Sequence, residues 1–357
     1  MQINALTGSV TGTTAAAPRT DVPTTPPTTP VVSRSTYDAK TSTSPKGGFG
    51  ELARKDGQAP TGDKAIDAAH DNAGIVVDFY KDVLGRNSID GKGMEIKSVV
   101  HYGKAYNNAY WDGSKMTYGD GDGKFFIPLS LGLDVVGHEM THGVTEHTSG
   151  LAYRGQSGAL NESWSDVFGE LIEQWSENKG GWGTLQAAAG ADWLIGEDVM
   201  TPGIAGDALR SMKAPGTAYS GDTQPADMAH YKNTSSDNGG VHTNSGIPNK
   251  AAYEIGIKVG SEKLAKIWYT ASTTFLKSNA SFADAAAATF AAAVQLFGEG
   301  DVSAAVSDAW KGVGVIAGAK PSPMAPHDPY VAGASARPAE GSMFPSDYKG
   351  TFAGLLG

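Results

Sequence analysis

The stretch DVVGHEMTHG, residues 134–143, sets His138 and His142 four positions apart with Glu139 directly after the first, in a chain that has only eight histidines. On an α-helix a step of four is about 40° of rotation, so both imidazoles lean over one patch of surface. Two neutral imidazoles so placed can hold one Zn2+. Glu139 lies about 100° round from His138, near such a metal without stacking on the ligand pair, where a carboxylate can act as base on the metal's water. This is the H-E-x-x-H pattern of metallopeptidases, although the pattern alone also arises by chance.

A catalytic zinc takes three protein ligands and keeps one position open. Glu162, in GALNESWSDVFGEL, follows His142 by twenty residues on the next helical pattern, and Asp166 lies one turn further on the same face. A carboxylate there can accept the second N–H of a zinc-bound imidazole and fix its tautomer. Taken singly, Glu162 and Asp166 read as solvated charges opposite a buried stripe of Leu160, Trp164, Val167, Phe168, Leu171, Ile172 and Trp175. Downstream, DNGGVHTNSGIP sets His242 just past a turn-forming Asp-Asn-Gly-Gly, with Asp237 close enough in sequence to orient and charge it. A cationic imidazole suits a developing oxyanion.

These residues need a scaffold, and 357 residues suffice for one large or two medium domains. Residues 1–35 are rich in Thr, Pro, Ser and Ala and read as a disordered leader, a pro-segment or an export address. Residues 36–150 mix the helical pattern DKAIDAAHDNAGIVVDFYKDVLG with β-like segments such as IKSVVHYG and end in the HEMTH helix. Residues 151–319 carry several helix-length segments, some opening with Ser or Asp as N-caps (Ser261, Ser281, Asp301). Residues 320–357, rich in Pro, Gly and Ser, read as a flexible tail. The predicted class is α+β, a strand-bearing N-terminal domain followed by a mainly helical one with the zinc site in the cleft between.

Together the motifs resemble the thermolysin family of zinc metallopeptidases, including its protealysin-like members. YNNAYWDGSKMTYGDGDG, VVGHEMTHGVTEHTSGLAY, GALNESWSDVFGEL, IGEDVMTPGIAGDALRSM and DNGGVHTNSGI occur in that family's order and spacing, from about residue 35 to 315. The resemblance implies His138, His142 and Glu162 as zinc ligands, Glu139 as general base and Asp166 as the partner that orients His138. It implies that His242, held by Asp237, and Tyr153 stabilise the tetrahedral intermediate. Asn108 and the backbone of Ala109 and Trp111 would hold an extended substrate, and Arg210 would bond a substrate carbonyl. Phe126, Leu129, Val135, Ile195, Val199 and Leu209 would line a pocket for Leu, Phe, Ile or Val just after the cleaved bond. Asp134, Glu173, Asp192 and Glu197 match a double calcium site, and Asp207 a further one. An additional segment, GGWGTLQAAAGA, lies between Glu173 and Asp192.

The net charge of −10 argues against nucleic acid or an anionic membrane as partner, leaving protein or peptide substrates and a monomer as the expectation. With no cysteine, disulfides and thiolate metal sites are excluded. The first thirty residues lack the basic start and apolar core of a secretory signal, so the expectation is a secreted bacterial enzyme leaving by another route, with cytoplasmic retention as the alternative. A silent metal-binding protein and an exported effector with one chosen target are the rival readings.

Overall fold

The computed structural model describes residues 32–203, 205, 206, 208–317, 326, 341 and 342. The expected leader therefore lies almost wholly outside the described residues, as does most of the expected tail. The N-terminal half is built on a sheet. Its strands are β1 (Arg34–Asp38), β2 (Glu51–Lys55), β3 (Ile96–Val100), β4 (Ala109–Trp111) and β5 (Met116–Tyr118), with α1 (Lys64–Leu84) between β2 and β3 and α2 (Leu133–Glu146) after β5. From Gly155 onward the chain is mainly helical: α3 (Gly155–Glu177), α4 (Leu185–Gly190), α5 (Asp237–Asn244), α6 (Gly246–Val259), α7 (Ser261–Thr270), α8 (Phe282–Phe297) and α9 (Asp301–Gly312). A short antiparallel pair of two-residue strands, β6 (Leu194–Ile195) and β7 (Arg210–Ser211), interrupts it. A last strand, β8 (Gly341–Ser342), returns to the first sheet, whose order is β2-β1-β3-β5-β4-β8. β1–β3 and β3–β5 run parallel, while β1–β2, β4–β5 and β4–β8 are antiparallel.

Local chemistry accounts for several boundaries. Asp63 caps α1 by accepting from the amides of Ala65 and Ile66, and Gly85 ends it in the left-handed region at φ 67°. Ser281 caps α8 through a reciprocal box with Asp284. Two expected caps shift by one residue: Ser261 and Asp301 are the first helical residues, and Gly260 and Gly300 hold the cap positions. The additional segment 180–191 contributes α4, which packs on α6, and Trp182, whose ring meets Phe79 edge-on at 5.9 Å.

α3 departs from the expected single stripe. Its apolar residues are buried, but so are Asn161, Glu162, Ser163, Ser165, Asp166 and Glu170 on the other faces. The helix runs through the interior, so its carboxylates are not solvated. Apolar packing holds it there. Phe79 of α1 meets Phe168 and Trp175 edge-on at 6.4 and 5.7 Å, and Trp164 stacks on Trp268, which stacks in turn on Trp310.

Candidate active site

α2 and α3 are drawn unusually close by two glycines. A Cβ on Gly169 would lie 2.6 Å from the Asp134 carbonyl oxygen, and one on Gly137 would lie 3.1 Å from the Cα of Gly169. No other residue type fits this backbone-to-backbone approach. On α3, Glu162, Asp166 and Gly169 stand at steps of four and three, so the glycine that admits α2 shares a face with the two carboxylates. The outcome is a convergent trio: His138 Nε2 to His142 Nε2, 3.0 Å; His138 Nε2 to Glu162 Oε2, 3.4 Å; His142 Nε2 to Glu162 Oε1, 3.5 Å. Each ligand atom lies within 4.8 Å of the others, and all three residues are buried.

The donor set fits zinc. His138 Nδ1 is 2.8 Å from Asp166 Oδ1, and His142 Nδ1 is 2.7 Å from Asn161 Oδ1, both acceptors that hold the proton on Nδ1. Both Nε2 lone pairs are then turned on one another at 3.0 Å, an arrangement that calls for a shared cation. Glu162 Oε2 is buried with no hydrogen-bond partner among the described residues, which again suits a metal. Without an ion, burial disfavours charge on His138, but Asp166 and Glu162 outweigh it and lift the imidazole to about 10. Burial keeps His142 neutral, lowering it to about 4. Burial alone would raise Glu162, yet the imidazoles of His242, His142 and His138 hold it well below the usual carboxylate range.

Glu139 sits beside this trio and is not part of it. Both of its carboxylate oxygens are buried with no hydrogen-bond partner among the described residues, and burial, reinforced by Glu162, pushes it up to about 8 against the pull of His138, the Trp111 backbone amide and His242. Such a carboxyl is poised to take up a proton near neutrality. Against Glu162 also stand His242 and Tyr153. His242 Nε2 is 3.5 Å from Glu162 Oε1 and 3.2 Å from the Tyr153 hydroxyl, which itself donates to Glu162 Oε1. Asp237 grips His242 twice, its Oδ1 2.6 Å from Nδ1 and its Oδ2 accepting from the backbone amide at 2.8 Å. The turn expected here is an unbroken left-handed run, Asp237, Asn238, Gly239 and Gly240 at φ 52°, 48°, 89° and 77°, which curls the carboxylate back onto the imidazole.

Asp166 is a hub. Besides His138 it accepts from Arg210 Nε at 2.9 Å and Nη2 at 2.6 Å, and from Asn249 Nδ2 at 2.8 Å. Arg210, expected to reach a substrate, thus commits two donors to Asp166. β4 runs along α2: a Cβ on Gly143 would lie 3.2 Å from the Trp111 ring, and Trp111 Nε1 donates to Glu146 at 2.9 Å. Asn108 leads into β4, its side chain accepting from the Ala109 amide at 2.9 Å. The six apolar residues expected around a specificity pocket are all buried members of one core cluster. Val135, Val199 and Leu209 crowd the backbone of Gly132 and Gly196 there.

Asp134, Glu173 and Glu197 form a second convergent group, each offering a carboxylate oxygen within 4.8 Å of the others. Asp192 is not one of the three; it is exposed and accepts from the Leu194 amide at 3.1 Å. Asp207 lies outside the described residues. Burial, then repulsion from Asp134 and other nearby carboxylates, pushes Glu173 up to about 11 and Glu197 to about 8, while burial and the charge of Asp198, against the amides of Gly196 and Val135, raise Asp134 to about 6. Sequence reasoning missed Glu170, buried beside them with Oε2 unpartnered and its carboxyl driven well above the usual range, first by burial. The signal was legible, because Glu162, Asp166, Glu170 and Glu173 continue one polar stripe along α3.

Residues 20–146 match the family model of the thermolysin metallopeptidase catalytic domain, and residues 149–315 that of the thermolysin metallopeptidase alpha-helical domain. An extracellular metalloprotease of Pectobacterium carotovorum subsp. carotovorum is 46% identical over 275 residues, which are 74% of this chain and 77% of that protein. Thermolysin of Alicyclobacillus acidocaldarius subsp. acidocaldarius is 47% identical over 267 residues, 71% of this chain but 46% of its own length. Among solved structures, the precursor of protealysin, a metalloproteinase from Serratia proteamaculans, superposes with a TM-score of 0.75 at 44% identity, covering 83% of this chain and 91% of that one. With two histidines of one helix and a glutamate of the next converging beside a buried carboxylate, and with these matches across both halves, the chain belongs to the thermolysin family of metallopeptidases.

Proposed function

We propose that the chain is a zinc-dependent endopeptidase that hydrolyses peptide bonds on the N-terminal side of Leu, Phe, Ile or Val, with Glu139 as general base. The observation that carries this reading is the pairing of the His138–His142–Glu162 trio with a neighbouring buried carboxylate that no side chain among the described residues engages. Bound zinc would supply Lewis acidity, polarising a substrate carbonyl and lowering the pKa of water toward ~7. Glu139, whose carboxylate oxygens are held by no other group among the described residues, takes the proton of the attacking water and afterwards hands it to the leaving amine. His242, oriented by Asp237, and the Tyr153 hydroxyl donate to the oxyanion. Asp166 fixes His138 and is itself fixed by Arg210. Asn108, Ala109 and Trp111 hold the substrate along β4, and Phe126, Leu129, Val135, Ile195, Val199 and Leu209 form the dry wall that selects the bulky side chain. The Asp134–Glu173–Glu197 group takes calcium, a hard cation suited to crowded carboxylates. The names of the relatives support action outside the cell.

An internally quenched peptide with Leu or Phe after the intended bond tests this. Glu139→Gln should retain stoichiometric zinc and lose turnover by at least about 100-fold, the usual scale for a general base. Full activity in that variant would end the mechanism.

A further inference from the structure

β4 is flanked by β5 on one side, so only one edge of it is open to further pairing. That edge is taken. β8 lies antiparallel along it, Ser342 opposite Tyr110 and Gly341 opposite Trp111, and also lies against α2, the helix carrying His138, Glu139 and His142. A peptide bound by strand addition would need the same backbone N–H and C=O groups of β4.

We propose that the C-terminal segment around Gly341–Ser342 is a built-in competitor for the peptide-binding edge, a strand of the chain itself that must leave β4 before a substrate peptide can pair there. The proposal rests on the peptidase reading above, in which β4 holds the substrate. Sequence chemistry agrees with it. Met343 and Phe344 follow directly, side chains of the bulky apolar class proposed for the substrate. Pro338 and Pro345 bracket the segment and lack the N–H that a ladder needs, so it can offer only a short, releasable strand. Attachment compensates for that weakness, since a segment of the same chain binds intramolecularly, at an effective concentration a free peptide lacks. A competitor of this kind raises the apparent KM and leaves kcat alone.

The test uses the 357-residue chain with Gly341→Pro and Ser342→Pro together. Alternate residues carry the bonds of an antiparallel pair, so replacing both removes whichever amide donates. On a quenched peptide, KM should fall about 3–10-fold at unchanged kcat, the scale expected for a weak strand at tether concentration. A synthetic peptide of residues 336–347 should raise KM again. Amide exchange at Tyr110 and Trp111, followed by mass spectrometry in a Glu139→Gln background that leaves the tail uncut, should be faster in the double-proline chain. Unchanged KM and unchanged exchange overturn the proposal, and faster exchange with unchanged KM overturns it as well, because the strand then docks without competing. Faster exchange, together with no peptide cleavage by the chains that keep Glu139, supports docking and sinks the peptidase reading instead, so the two failures are separable.

Discussion

Replacing Asp166 with alanine strips four contacts from the interior at once: His138 Nδ1, both Arg210 donors and Asn249 Nδ2 all end on its two oxygens. The carboxylate is 0% exposed and Arg210 is 5% exposed, so the guanidinium left behind has little water to turn to. Removing one partner of a buried, hydrogen-bonded pair costs about 3–5 kcal/mol, mostly the penalty of the orphaned charge. At about 2.1 cal/mol/K per residue of unfolding entropy, a body of about 300 residues should then melt roughly 5–8 °C lower. Zinc should weaken separately by about 10–100-fold, because His138 loses the acceptor that sets its tautomer. Calorimetry and a competing chelator read the two effects. Adding Arg210→Met to Asp166→Ala removes the orphan and should restore at least about 2 kcal/mol, a coupling within the range seen for contacting residues. If the two substitutions simply add, or if Asp166→Ala costs under about 1 kcal/mol, the buried charge is not paired as argued and the reasoning fails.

Three further outcomes follow from the geometry. Gly169→Ala should destabilise by about 1–3 kcal/mol through overpacking against the Asp134 carbonyl and should weaken zinc, as seen by melting and metal titration; a neutral alanine would show that α2 and α3 tolerate separation. Calcium should raise the melting temperature, while Glu173→Gln should abolish that increment and leave the calcium-free protein no less stable, since one of the crowded carboxylates is gone; an increment that survives assigns the ion elsewhere. The third concerns His101, lifted to about 9 chiefly by its hydrogen bond to Asp120, against burial and with help from Asp63 and Asp38. A raised histidine stabilises fully below its unfolded value near 6.5 and loses that contribution as pH climbs through about 9. Asp120→Asn should therefore cost about 1 kcal/mol at pH 6, after discounting for the partly exposed pair, and almost nothing above pH 9.5. A cost that does not change with pH would refute the charged pairing.

Much of this was legible from residue types. The four-residue step of His138 and His142, the Asp63 and Gly85 punctuation of α1 and the glycine-rich turn before His242 are local signals, and the chain realises them locally. What resisted reading depends on distant partners. Glu162 and Asp166 look like surface charges until α2 covers them, and that approach is licensed by two glycines whose roles appear only once both helices are in place. Arg210 gives no sequence sign that it closes on a residue forty-four positions earlier. Glu170 followed the polar stripe but lay beyond the motif that drew attention to it. The pairing of Gly341–Ser342 with β4 has no signal in composition, since two small residues among prolines read as tail.

The face of α3 that carries Glu162, Asp166 and Gly169 also sets where the chain can change length. One residue inserted between Glu162 and Gly169 would turn the two about 100° out of phase, so that the helix could either meet α2 or present its carboxylate, but not both. The segment just beyond the helix end, where residues 180–191 contain the short α4, is under no such phase condition. Lineages of this fold should therefore gain and lose residues freely between Asn178 and Asp192 and almost never inside α3. A scan of single insertions and deletions, scored by peptidase activity, would draw that boundary directly.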